Sequence, residues 1–292
     1  MLSAVPRPRS APVTAAPATA AAMTIASAAR APAAHAAAAL AAAALAAGCG
    51  SPPACEATLF GVPGARTGLT ADQCGPTCAC DGTTWTAPTY GADDLAALRA
   101  LVLLEPPAPL TEDPYAAPPP PPPDGAYCAV VREAANGYRL QTFAARADAE
   151  EAGATPTHAG ACGLCSTLED LAVYIETPDL TEPVRACGLM YPSGPAADHL
   201  QCLRDLGFTE PCAQIWYYNT VNTRAACFAP CLLALEAPYH LPDGSLNECL
   251  QCDEDQSGPV FKAVAGRTRR NTGVPSAMCR PCAEVDRLLH RY

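Results

Sequence analysis

The sequence predicts an α+β fold, mainly α: a disulfide-rich helical domain with one small β-hairpin and a turn-rich N-terminal cysteine module. Three observations carry this. Seventeen cysteines occur in 292 residues, and none precedes Cys49. From Ser166 onward, apolar residues recur at helical spacing behind capping residues. Two strand-like runs, 127–132 and 138–143, flank Ala135-Asn136-Gly137, and Asn-Gly suits a tight hairpin turn.

Residues 1–48 read as a signal segment. No Asp or Glu precedes Glu56, and Arg7, Arg9 and Arg30 supply positive charge. The alanine-rich run 36–47 is too short for a membrane span of about 20 residues and fits the apolar part of a signal. Small residues Ala46, Ala47 and Gly48 precede Cys49. The run Leu45-Ala-Ala-Gly-Cys49 resembles a bacterial lipobox, with Leu45 one place early. That resemblance implies cleavage and lipidation at Cys49. Plain signal cleavage after Ala47 and an organellar transit peptide are the alternatives, and Met23 offers a second start.

Residues 49–104 form the turn-rich module. Cys55, Cys74, Cys78 and Cys80 surround Gly75-Pro76 and Asp81-Gly82, which mark tight turns. A helix is expected over 93–104, with Asp93 and Asp94 at its positive end and Leu95, Leu98 and Val102 on one face. Glu105-Pro106 ends it. Residues 105–126 read as a linker, stiffened by the polyproline run Pro118–Pro123.

Residues 127–292 read as a disulfide-stapled, mostly helical domain. After the hairpin come a short helix over 144–152 and a loop over 155–160. Ser166 and Glu169 make a capping box for a helix whose face carries Leu168, Leu171, Ala172 and Ile175. A helix over 198–206 stops at Gly207. Thr209-Glu210-Pro211 opens a longer helix carrying Cys212, Ile215, Trp216 and Asn219, which Pro230 should break between Cys227 and Cys231. A last helix is expected from Pro281, with Val285 and Leu289.

Sixteen cysteines remain after Cys49, an even number that suits complete pairing in an oxidising space. The net charge of −11 makes nucleic acid a poor partner, and the membrane is expected to be met only through an N-terminal lipid anchor. Alanine dominates the apolar fraction and buries little area per side chain, so disulfides must supply part of the stability.

Three Cys-x-x-Cys pairs carry the candidate chemistry. Cys249/Cys252 and Cys279/Cys282 have the spacing of a four-thiolate zinc site, weighed against structural disulfides. Cys162/Cys165 precede a helix N-terminus, where backbone N–H groups would favour a thiolate. They are the candidate catalytic pair of a thiol–disulfide oxidoreductase. Gly160-Ala-Cys162-Gly-Leu-Cys165 also resembles the segment around a papain-type nucleophile. Ala159 stands where that family has its oxyanion glutamine, and Ser166 replaces the aromatic after the nucleophile. His158 could join a metal site. Cys252-Asp253-Glu-Asp255-Gln-Ser257-Gly258 begins like a calcium loop, but position twelve is Val264 where an acid is required. Arg267, Arg269 and Arg270 are candidates for anion binding, set against pairing with Asp253–Asp255.

No Gly-x-Ser-x-Gly elbow, phosphate loop or HExxH motif occurs. The expected function is therefore an exported, cysteine-rich, non-catalytic interaction or structural protein without a cofactor. Its partner is an unspecified protein or surface ligand. An oxidoreductase and a zinc protein are the alternatives.

Overall fold

The computed structural model describes residues 54–133, 136–190 and 194–292. The expected signal segment and Cys49 lie outside the described residues.

The N-terminal module starts with strands β1 (Leu59–Phe60) and β2 (Cys74–Gly75), which pair in parallel. Strands β3 (Thr77–Cys80) and β4 (Thr83–Thr86) form an antiparallel hairpin. Its two-residue turn is Asp81-Gly82, with φ of 51° and 72°. Positive φ at both turn positions matches the twist of the strands, and Asp-Gly tolerates it.

Helix α1 (Ala92–Arg99) is shorter than expected, because the chain leaves Ala100 to form strand β5 (Val102–Leu103) beside β7. The predicted hairpin is present as β6 (Tyr127–Arg132) and β7 (Gly137–Phe143), with Tyr127 opposite Phe143 and Arg132 opposite Tyr138. It sits inside a four-stranded sheet of order β5-β7-β6-β8. Strand β8 (Thr155–Ala159) replaces the expected loop and follows helix α2 (Arg146–Glu151). Pro156 is tolerated because β8 is an edge strand, and the β6–β8 register shifts at Cys128/Ala129.

The rest is helical: α3 (Leu168–Glu176), α4 (Thr181–Met190), α5 (Ala196–Asp205), α6 (Glu210–Ala226), α7 (Phe228–Leu233), α8 (Glu248–Gln256) and α9 (Gly258–Ala265). The cap of α3 is Thr167 rather than Ser166, its hydroxyl accepting from the Asp170 N–H at 3.0 Å. Helix α5 stops before Gly207, whose φ of 100° ends it as the sequence indicates. Helix α6 is capped at Thr209 with Pro211 in its first turn. The break before α7 comes at Cys227, so Pro230 falls in the first turn of α7, where its missing N–H costs nothing. In place of the expected last helix there is one 3₁₀ turn, Cys282–Glu284, followed by extended chain.

The main core packs α3, α4, α5, α6 and α9 around Val173, Leu203, Phe208, Ile215 and Phe261. Trp216 packs between Phe208 and Phe261, with ring centroids 5.8 and 4.7 Å away. A second cluster joins α1 and α3 to the sheet through Leu98, Val130, Tyr138, Leu168 and Leu171.

The cysteine module is tied to the segment around 279–282. Cys74–Cys279 and Cys78–Cys282 bridge separations of 205 and 204 residues, and the Phe60 N–H donates to the Arg280 carbonyl at 2.7 Å. The segment 105–126 is seated on the helices. The Leu110 N–H donates to Gln214 Oε1 at 2.6 Å, and the Tyr115 hydroxyl lies 2.9 Å from Asn219 Oδ1. From residue 54 onward the chain is one compact unit.

Candidate binding groove

Among the described residues, eight disulfides use all sixteen cysteines after Cys49. None of the three Cys-x-x-Cys pairs closes on itself. Cys162 bonds Cys128 and Cys165 bonds Cys212. The reason is positional. Cys162 follows β8, which lies beside β6 and so beside Cys128, whereas Cys165 meets the first turn of α6. The two sulfurs are therefore not one redox couple.

The zinc reading is corrected in the same way. Cys249, Cys252, Cys279 and Cys282 bond Cys231, Cys227, Cys74 and Cys78, so their four sulfurs stand in four disulfides and offer no thiolate. No cluster of three metal-ligating side chains is gathered among the described residues. The calcium-like loop is also corrected, since Asp253 and Asp255 are helical residues of α8. Asp253 is half-buried and accepts hydrogen bonds from Thr223 and, at 3.4 Å, from Asn219. His158 is fully buried with Nε2 2.7 Å from Ser166 Oγ, and desolvation, then Arg267, favour its neutral form.

The three arginines all have partners within the fold. Arg267 is wholly buried and donates to the carbonyls of Cys165, Thr157 and Ser166 at 2.9–3.1 Å. Arg269 donates to the carbonyls of Tyr174, Thr177 and Pro275, and stacks over the Tyr174 ring at 5.4 Å. Arg270 pairs with Glu284 and Glu254. The expected pairing with the 253–255 acids is met at Glu254, which also takes Arg280 and Lys262.

A groove with a cavity of about 330 Å³ lies between α4, α6, α7, α8 and α9. Its apolar lining includes Leu180, Val184, Trp216, Leu250, Phe261 and Met278. Three further lining residues, Leu189, Phe228 and Leu232, are 57%, 60% and 55% exposed. Their neighbours Met190 and Leu233 are exposed too.

Helix α7 explains how this surface persists. It buries none of its residues, and six residues alone make a marginal helix in water. Two disulfides, Cys227–Cys252 and Cys231–Cys249, hold it against α8. The staples replace the apolar burial that would otherwise anchor such a helix, leaving Phe228, Leu232 and Leu233 to solvent.

The groove also carries polar groups. Arg185 pairs with Glu182 at 3.0 Å. Arg224 reaches only the Gly188 carbonyl, at 3.4 Å, and enters no ion pair among the described residues. The Tyr174 hydroxyl and the Trp216 indole N–H are buried without a hydrogen bond of good geometry. They lie near enough for the indole to bias the phenol, although desolvation dominates and holds Tyr174 well above the usual range.

Sequence reasoning missed this groove. Its one local sign is Cys227-Phe-Ala-Pro-Cys231-Leu-Leu, which packs large apolar residues between cysteines in a stretch too short to bury them.

Residues 196–288 match a family of unknown function (DUF8771), a span that includes α6, α7, α8 and α9 but not α4. No match is found among curated proteins or among solved structures.

Proposed function

We propose that this chain is an exported, non-catalytic binding protein whose working surface is the groove between α4, α6, α7, α8 and α9. The observation that carries this is an apolar cavity rimmed by exposed Leu189, Phe228 and Leu232 on disulfide-fixed backbone. Exposed apolar side chains gathered at one concave place mark binding sites more often than chance. Eight disulfides point to an oxidising, extracellular or periplasmic setting. No helix among the described residues is long and apolar enough to cross a membrane. Export through the 1–48 segment, with lipidation at Cys49, fits that setting.

The non-catalytic reading draws on the same residues. Every cysteine after Cys49 is bonded to another. The histidines of the described residues, at 158, 199, 240 and 290, are all buried, so none presents a base at an open site. The test is titration with a hydrophobic-surface dye such as bis-anilinonaphthalene sulfonate. One saturable site is expected, lost in Phe228→Glu and Leu232→Glu. Absence of dye binding, or binding untouched by both substitutions, would sink the proposal.

A further inference from the structure

We infer that the groove takes an anionic amphiphile with a single apolar chain, its head group held by Arg224. This rests on the reading of the groove as the binding site and adds the chemistry of the ligand.

Size and lining favour a small ligand. A cavity of about 330 Å³ falls at the lower end of small-molecule pockets, roughly 300–1,000 Å³. The wall surface is mainly apolar and comes from several helices, with polar and charged side chains standing among the apolar ones. An unbranched chain fits such walls, and the exposed rim at Leu189, Phe228 and Leu232 continues the apolar track outward.

Charge selects the head group. The whole chain carries −11, yet most charged residues in the groove lining are basic. Several of these are already spent. Glu254 gathers Arg270, Arg280 and Lys262, Arg185 has Glu182, and Arg269 is committed to carbonyls. Arg224 is the lining cation with spare donors and no acid beside it among the described residues. A guanidinium against a low-dielectric wall offers a forked pair of donors to a carboxylate or phosphate. Asp253 also lines the groove; it is half-buried, and its Oδ1 accepts from Thr223 and Asn219.

The chain has two tryptophans, Trp85 and Trp216, and Trp85 packs on Phe60 in the N-terminal module. Trp85→Phe therefore leaves Trp216 as the sole emitter, inside the groove. This variant is titrated below micelle-forming concentration with dodecanoate, dodecyl phosphate, dodecanol and dodecyltrimethylammonium. A shift of Trp216 emission is expected with both anions, one of them binding at least roughly ten-fold more tightly than dodecanol. The tighter of the two anions identifies the head group. Arg224→Gln should abolish that preference while leaving dodecanol binding unchanged. Equal binding of dodecanol and the anions, a preference for the cation, or an anion preference that survives Arg224→Gln overturns the inference while the groove remains a binding site. No response to any of the four, with no dye binding either, removes the underlying reading as well.

Discussion

Arg267 Nε donates to the main-chain carbonyl of Cys165 at 3.0 Å, at the point where the Cys165–Cys212 disulfide joins the start of α3 to α6. The same guanidinium reaches Thr157 on β8 and Ser166, so one side chain clamps sheet, α3 and the end of α9. It is wholly buried and faces carbonyl and hydroxyl oxygens in place of a carboxylate. Substituting Arg267→Leu would leave the carbonyls of Thr157, Cys165 and Ser166 without these donors. A loss of about 3 kcal/mol is expected in urea unfolding. Arg267→Lys should recover less than half of it, because a single ammonium cannot span that set of oxygens.

Asp170 lies in the same interior and gives a pH signature. Burial pushes its carboxyl up from 3.8 to about 6, against the hydrogen bonds from Thr167 and Thr209 that favour the charged form. A raised acid binds its proton more tightly in the folded state. Its contribution to stability is therefore present below about pH 4 and is lost as pH rises through about 6, a change of about 3 kcal/mol. Asp170→Asn should remove that slope. The measurement is the urea midpoint between pH 4 and 7. A wild-type curve parallel to that of Asp170→Asn would refute the assignment.

Glu254 acts in the opposite sense. Burial alone would raise it, but Arg280, Arg270 and Lys262 outweigh burial and hold it at about 2. A lowered acid contributes stability above its unfolded value near 4.5, lost as pH falls toward 2. Glu254→Gln should cost about 3 kcal/mol at pH 7, and the difference from wild type should shrink to nothing near pH 2. Because Arg270 and Arg280 are only 16% exposed, removal of their shared acid leaves two half-desolvated cations. A pH-independent difference would mean that Glu254 contributes by packing rather than by charge.

Local signals were legible where the physics is local. The β6–β7 hairpin follows from its two strand-like runs around Asn136-Gly137, and the ends of α5 and α6 follow from Gly207, Thr209 and Pro211. The cap of α3 fell one residue late, since Ser166 and Thr167 are both good caps and Ser166 is taken by His158 and the Gly163 N–H. Long-range facts were not legible. Cys-x-x-Cys spacing puts two sulfurs near one another but does not say that β6 sets Cys128 beside Cys162 and α6 sets Cys212 beside Cys165. Arg267 and Arg269 look like surface charge because burial by distant elements leaves no mark in a basic run. The groove draws its walls from helices far apart in the chain, so only the crowding of apolar residues around Cys227 and Cys231 hinted at it.

The Cys231–Cys249 disulfide is expected to matter more for the groove than for the fold. It closes 18 residues, which corresponds to about 3 kcal/mol of constraint on the unfolded chain. In the folded chain it has a second task, because α7 buries no residue of its own. Replacing both cysteines by alanine should lower the urea stability by about 2–3 kcal/mol. Hydrogen exchange should then speed up over 228–233 while β6, β7 and α3 stay protected, since their cluster around Val130, Tyr138 and Leu168 does not involve this bond. Trp216, which lines the same groove from α6, should respond by a change in emission as Phe228 and Leu232 move away from the opening. Uniform loss of protection across the chain would show instead that the staple supports the whole domain, and unchanged exchange at 228–233 would show that Cys227–Cys252 holds α7 alone.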